Sequence, residues 1–86
     1  MARRVECGKF KVIEVSAVEL TQFGGLGICD NCGNASGVGY LIPVLNRWFC
    51  PECYESWKKR AKWYPEDAEY EQRKFDYYCK LFNVTL

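Results

Sequence analysis

The apolar positions of Phe10 to Val15 (Phe-Lys-Val-Ile-Glu-Val) are β-branched and aromatic, a run that predicts a strand. Ser16 and Glu19 follow as a capping-box signature, which predicts a short helix stopping at Gly24-Gly25. Val38 to Ile42 and Arg47 to Cys50 read as two arms of a β-hairpin, with Pro43 to Asn46 around its turn. From about Glu52 to Tyr64 the pattern becomes helical: Tyr54, Trp57, Ala61 and Tyr64 recur at spacings of 3, 4 and 3. Lys58, Lys59 and Lys62 fall on another face of that helix, with Arg60 and Trp63 elsewhere. Pro65 ends it and opens the next, whose first turn holds Glu66 and Asp67. In this last helix Ala68, Phe75, Tyr78, Cys79 and Phe82 share one face, while Tyr70, Tyr77 and Leu81 share a second. A helix apolar on two sides exceeds what one small core needs. It points to a protein partner, a homodimer through the C-terminal helix, or wrapping by the N-terminal strand.

With 86 residues the chain is read as one α+β domain over 1–86. Its parts are an N-terminal strand and helix (1–28), a central module (29–64) and a C-terminal helix (65–86). A domain of this size buries only roughly 60% of its unfolded surface and needs a staple. Half the residues are hydrophobic (49%) and Gly and Pro number only seven and three, which excludes a disordered tail or a low-complexity linker.

The net charge of +1 lacks the positive field of a typical nucleic-acid binder. The balance is uneven, with nine basic and six acidic side chains in residues 1–63 against three and five in residues 64–86. Arg3, Arg4, Glu6, Lys9 and Lys11 leave no apolar signal-peptide stretch at the start. The longest uncharged run, Asn31 to Asn46, is broken by Gly, Asn, Ser and Pro and is too short to span a bilayer. The expectation is a soluble cytoplasmic protein with no membrane contact.

Chemistry enters with six cysteines and no histidine. Four of them form Cys29-Asp-Asn-Cys32 and Cys50-Pro-Glu-Cys53, with 17 residues between the pairs. A two-residue spacer bends the backbone so that both sulfurs point at one ion, and two such knuckles complete a tetrahedron of metal–sulfur bonds. Gly33 suits the positive φ that turns backbone amides toward the first pair, and Pro51 suits the first turn of a helix. Cys53 is then expected near a helix N-terminus, where free amides lower the energy of its thiolate. One structural Zn2+ on Cys29, Cys32, Cys50 and Cys53 is the reading. An iron site of rubredoxin type is second, although rubredoxin pairs carry Cys-Pro-x-Cys-Gly and neither pair here is complete. With the four thiolates around a divalent ion, the chain's balance becomes about −1. Cys79, on the apolar helical stripe, is expected as a buried free thiol, and a Cys7–Cys79 disulfide only in an oxidised sample.

A knuckle, a hairpin and a second knuckle entering a helix resemble a treble-clef or zinc-ribbon-like finger. The spacing C-x2-C-x17-C-x2-C resembles the GATA-type finger over Cys29 to about Tyr64, and the resemblance implies the four ligands. GATA-type fingers continue into a basic tail that reads DNA, where this chain has Pro65 and an acidic-aromatic helix. The whole chain is also similar to small zinc proteins of bacterial phages and mobile elements, in which segments like Leu45-Asn-Arg-Trp-Phe-Cys-Pro-Glu-Cys-Tyr-Glu-Ser-Trp57 recur. That similarity implies a regulator or inhibitor of a host or defence protein.

Catalysis is not expected. The missing histidine removes the usual general base, and four cysteines close a metal shell that a catalytic zinc keeps open. The favoured function is a non-catalytic module that binds a protein. Fourteen aromatics exceed what a small core hides, and Tyr70, Tyr77 and Leu81 are the candidate partner surface. The second function is nucleic-acid binding, with Lys58, Lys59, Arg60 and Lys62 on phosphates and Trp63 stacked on a base.

Overall fold

The computed structural model describes residues 2–22 and 24–84. Its centre is an antiparallel meander in the order β1-β2-β3-β4, formed by β1 (Arg3–Cys7), β2 (Phe10–Ser16), β3 (Val38–Ile42) and β4 (Arg47–Phe49). Three helices accompany it: α1 (Ala17–Thr21), α2 (Pro51–Arg60) and α3 (Ala68–Leu81), the last preceded by a 3-10 turn at Pro65–Asp67. The class is α+β, as the sequence implies, and the hairpin and capping box stand where they were expected. Ser16 Oγ accepts from the Glu19 amide at 3.2 Å while the Glu19 carboxylate accepts from the Ser16 amide, so two orphan donors are satisfied at once.

β1 is an addition to the expected elements. Arg3-Arg-Val-Glu-Cys7 has too little apolar content to read as a strand. It pairs because Gly8, at φ 58°, makes a two-residue turn that folds it back on β2 with Cys7 opposite Phe10.

Both faces of the sheet are buried. On one face Ile13, Val15, Leu41 and Trp48 pack with Ala2, with Phe75 and Cys79 of α3 and with Phe82, the C-cap of that helix. On the other, Cys7, Val12, Ile42 and Phe49 pack with Tyr54 and Trp57 of α2 and with Cys29. Adjacent residues Val12 and Ile13, Leu41 and Ile42, and Trp48 and Phe49 therefore serve opposite cores, as the pleat dictates. This accounts for most of the aromatic surplus. It also separates Cys7 from Cys79: the two buried thiols lie on opposite faces of the sheet, so the disulfide considered for an oxidised sample does not form in this fold.

The helices differ from expectation at their ends: α1 ends at Thr21, ahead of Gly24-Gly25, and Glu66 and Asp67 lie in the 3-10 turn before α3. α2 ends at Arg60, and Ala61 is already extended (φ −69°, ψ 140°), instead of continuing to Tyr64. The chain must leave the α2 face and reach the α3 face, and the segment 61–64 carries it around the sheet. Pro65 closes that crossing, since it holds Tyr64 extended.

Candidate metal centre

After α1 the chain returns to the sheet at Val38, which pairs with Ser16. Before that return Cys29 donates its amide to Asn34 O at 2.9 Å, and Gly33, at φ 78°, donates to Cys29 O at 3.0 Å. A side chain at Gly33 would be strained in that conformation. The turn aims the amides of Asn31 and Cys32 at Cys29 Sγ, at 3.4 and 3.5 Å. The second pair arrives from the hairpin: β4 ends at Phe49, Cys50 is the N-cap of α2, Pro51 occupies its first turn, and Cys53 follows in that turn. Knuckle, hairpin and helix thus follow one another in treble-clef order.

The four sulfurs of Cys29, Cys32, Cys50 and Cys53 lie within 4.8 Å of one another. Cys32 Sγ and Cys50 Sγ are 3.8 Å apart, which is about the edge of a tetrahedron whose metal–sulfur bonds are ~2.3 Å. All four are free thiols, so the cluster is not a pair of disulfides. Cys29 is buried, Cys50 and Cys53 are half-buried and Cys32 is exposed.

Electrostatics separate the ligands. Burial opposes ionisation of Cys29, but hydrogen bonds from the amides of Cys32, Cys50 and Asn31 outweigh it and bring this thiol down to about 6. Cys53 moves the other way. The Asn31 side chain favours its thiolate, yet burial and hydrogen bonds with the other three cysteines push it up to about 12. The expected lowering of Cys53 at the helix N-terminus is outweighed by that burial and by its hydrogen bonds with Cys50, Cys32 and Cys29. Four convergent sulfurs are the donor set that holds one divalent metal ion such as zinc, so the site fits a single ion bound by all four cysteines.

A residue that the sequence reading missed joins the two halves. Asp30 Oδ2 accepts the Trp48 amide at 2.8 Å, and the Asp30 amide donates to Trp48 O at 2.9 Å. Its only sequence cue is an acidic residue inside the first pair.

The other candidate residues are dispersed. Lys58, Lys59 and Arg60 are exposed in the last turn of α2, and Lys62 is exposed beyond it. Trp63 is half-buried, not a free platform: its Nε1 donates to Glu71 Oε1 at 3.3 Å and Lys9 Nζ sits 5.2 Å from its ring centre. Tyr70 and Tyr77 are exposed on α3, whereas Leu81 packs against the core on the α3 side because the last helical turn lies over the sheet. No helix among the described residues is long and apolar enough to cross a membrane.

Compared with protein-family models, curated proteins and solved structures, the chain finds no match. The treble-clef order and the four convergent sulfurs therefore stand on the geometry itself.

Proposed function

We propose that this chain is a non-catalytic module, held together by one structural zinc ion on Cys29, Cys32, Cys50 and Cys53, that binds a protein partner. The supporting observation is on α3. Tyr70, Arg73, Lys74, Tyr77 and Tyr78 line a cleft of about 570 Å³ with Asn46 from the β3–β4 turn, and no carboxylate lines it. Lys74 Nζ lies 5.8 Å from the Tyr70 ring centre, and the Tyr78 hydroxyl donates to Asn46 Oδ1. Tyrosine and arginine are the residue types that anchor interfaces, at low entropy cost for the aromatic rings.

The nucleic-acid reading keeps its exposed cations but loses its stacking residue, because Trp63 is engaged by Glu71 and Lys9. Lys58, Lys59 and Arg60 already have a structural role, since cations in the last turn of α2 oppose the helix dipole.

The test is affinity capture with the tagged, metal-loaded chain from a bacterial lysate, divided into nuclease-treated and untreated halves. A discrete protein band that survives nuclease and is lost with Tyr77→Ala supports the reading. Identification of that band as a host or defence protein narrows the role to its regulator or inhibitor. Material that vanishes with nuclease moves the function to nucleic acid. Metal analysis of the same preparation tests the ion: zinc is expected, and iron in its place would overturn that part.

A further inference from the structure

The outer edge of β1 is used by neither the metal centre nor the α3 cleft. β1 has one neighbour in the sheet, β2, and among the described residues no backbone bond from outside the sheet reaches Arg3–Cys7. Which groups point outward follows from the turn. A two-residue loop with glycine first and at positive φ closes on a hydrogen-bonded pair, here Cys7 and Phe10. Pairs then alternate, so Cys7, Val5 and Arg3 bond to β2, while the N–H and C=O of Arg4 and Glu6 face away. An independent contact confirms the parity. Lys11 pairs with Glu6, and its amide is turned from β1 toward Glu71 Oε2, which accepts it at 3.2 Å.

We propose that this edge pairs antiparallel with the same edge of a second copy, about a two-fold axis at Val5, joining two four-stranded sheets into one continuous sheet. Two properties select that register. The first is hydrogen bonding. With Val5 on the axis, Arg4 of each copy lies opposite Glu6 of the other, and all four outward backbone groups of each strand find partners. A shift by two residues in one direction sets Glu6 against Ala2, whose amide is already given to Glu19 Oε2 at 2.6 Å. A shift in the other direction sets Arg4 against Gly8, which is in the turn.

The second property is charge. The same register sets arginine against glutamate twice, whereas the shifted ones set Arg4 against Arg4 or Glu6 against Glu6. Opposite charges directly across an antiparallel pair stabilise it, and like charges oppose it. Edges are usually blunted by charge of one sign. This one is self-complementary. Backbone bonds supply the attraction and the charge pairs fix the register, as in other strand additions. A second copy is thus held at the sheet edge instead of along α3.

Sedimentation of the full, zinc-loaded chain over a concentration series tests this with four proteins: wild type, Arg4→Glu, Glu6→Arg and the double swap. Wild type is expected to reach a dimer, each single reversal to weaken association by about tenfold or more, and the double swap to restore it. Arg4 Cζ lies 5.8 Å from the Phe75 ring centre, so Arg4→Glu also loses an intramolecular contact. Glu6→Pro provides the second route, since proline is tolerated on an edge whose N–H faces solvent. It should be monomeric with an unchanged circular dichroism spectrum. A wild type that stays monomeric, a dimer that persists in Glu6→Pro, or a double swap that fails to re-associate would each overturn the proposal. None of these outcomes depends on whether a protein partner is captured.

Discussion

Asp30 and Trp48 are bonded to each other twice, amide to carbonyl at 2.9 Å and amide to carboxylate at 2.8 Å. The pair fastens the first knuckle to β4, the strand that delivers Cys50 to the metal. Removing such an outer contact typically costs about 10–100-fold in metal affinity. Asp30→Ala is expected to fall in that range in a competition titration against a chromophoric chelator. Asp30→Asn, which keeps an oxygen acceptor, should lose much less. Equal affinities for all three proteins would show that the contact does not position the ligands.

Trp48 makes a second demand, on Gly39. A Cβ built at Gly39 would stand 2.5 Å from two atoms of the indole and 2.6 Å from the Phe49 carbonyl oxygen. Neither neighbour can retreat easily, because Trp48 is buried and its Nε1 donates to Val15 O at 3.1 Å. Gly39→Ala is expected to destabilise the zinc-loaded fold by about 1–3 kcal/mol through overpacking. Denaturant unfolding followed by tryptophan fluorescence measures this, and an unchanged midpoint would contradict it.

Glu71 is the one buried charged residue among those described, at 1% exposure. Its two oxygens accept the Lys11 amide and the Trp63 indole N–H, at 3.2 and 3.3 Å. It ties α3 to β2 and to the crossing at 61–64. Glu71→Ala leaves both donors without this acceptor and is expected to cost about 2–3 kcal/mol, with Glu71→Gln closer to wild type. The emission maximum of Trp63 should shift to longer wavelength in the alanine variant, read against a Trp63→Phe control.

Acid stability carries a contribution from Glu19. Burial opposes its ionisation, but the amide and hydroxyl of Ser16 and the amide of Ala2 hold its carboxyl below the usual range. The unfolded chain therefore takes up this proton at higher pH than the folded one. The stabilisation is complete at neutral pH, declines as pH falls through the ordinary carboxylate range, and is gone below the folded pKa. Compared at neutral pH and at about pH 4, Glu19→Gln should narrow its deficit against wild type. A deficit that stays constant or widens on acidification would refute the assignment.

The features legible in the chain are those encoded locally. The spacing of the four cysteines, Pro51 at the start of α2, Gly33 in the knuckle and the Ser16–Glu19 cap each work within a few residues, and each stands where the sequence places it. What was hidden depends on distant partners. β1 carries two arginines and becomes a strand only because β2 offers it an edge. α2 stops at Arg60 because the chain has to cross to the other side of the sheet, a requirement that no periodicity contains. The neighbouring pair Val12-Ile13 did hold a cue that both faces of β2 are covered.

The meander order bears on how the molecule assembles. β1–β2 and β3–β4 are joined by tight turns at Gly8-Lys9 and Pro43–Asn46, so each hairpin can form by itself on a timescale of about 1–10 μs. The β2–β3 pairing must instead close the whole excursion between Ser16 and Val38, and its loop entropy is lost before its contacts are gained. The first metal knuckle lies inside that excursion and the second lies beyond β4. An ion captured early by all four sulfurs would therefore bring the excursion onto β4 before the sheet is complete, so metal present during refolding should speed the slow step as well as secure its product.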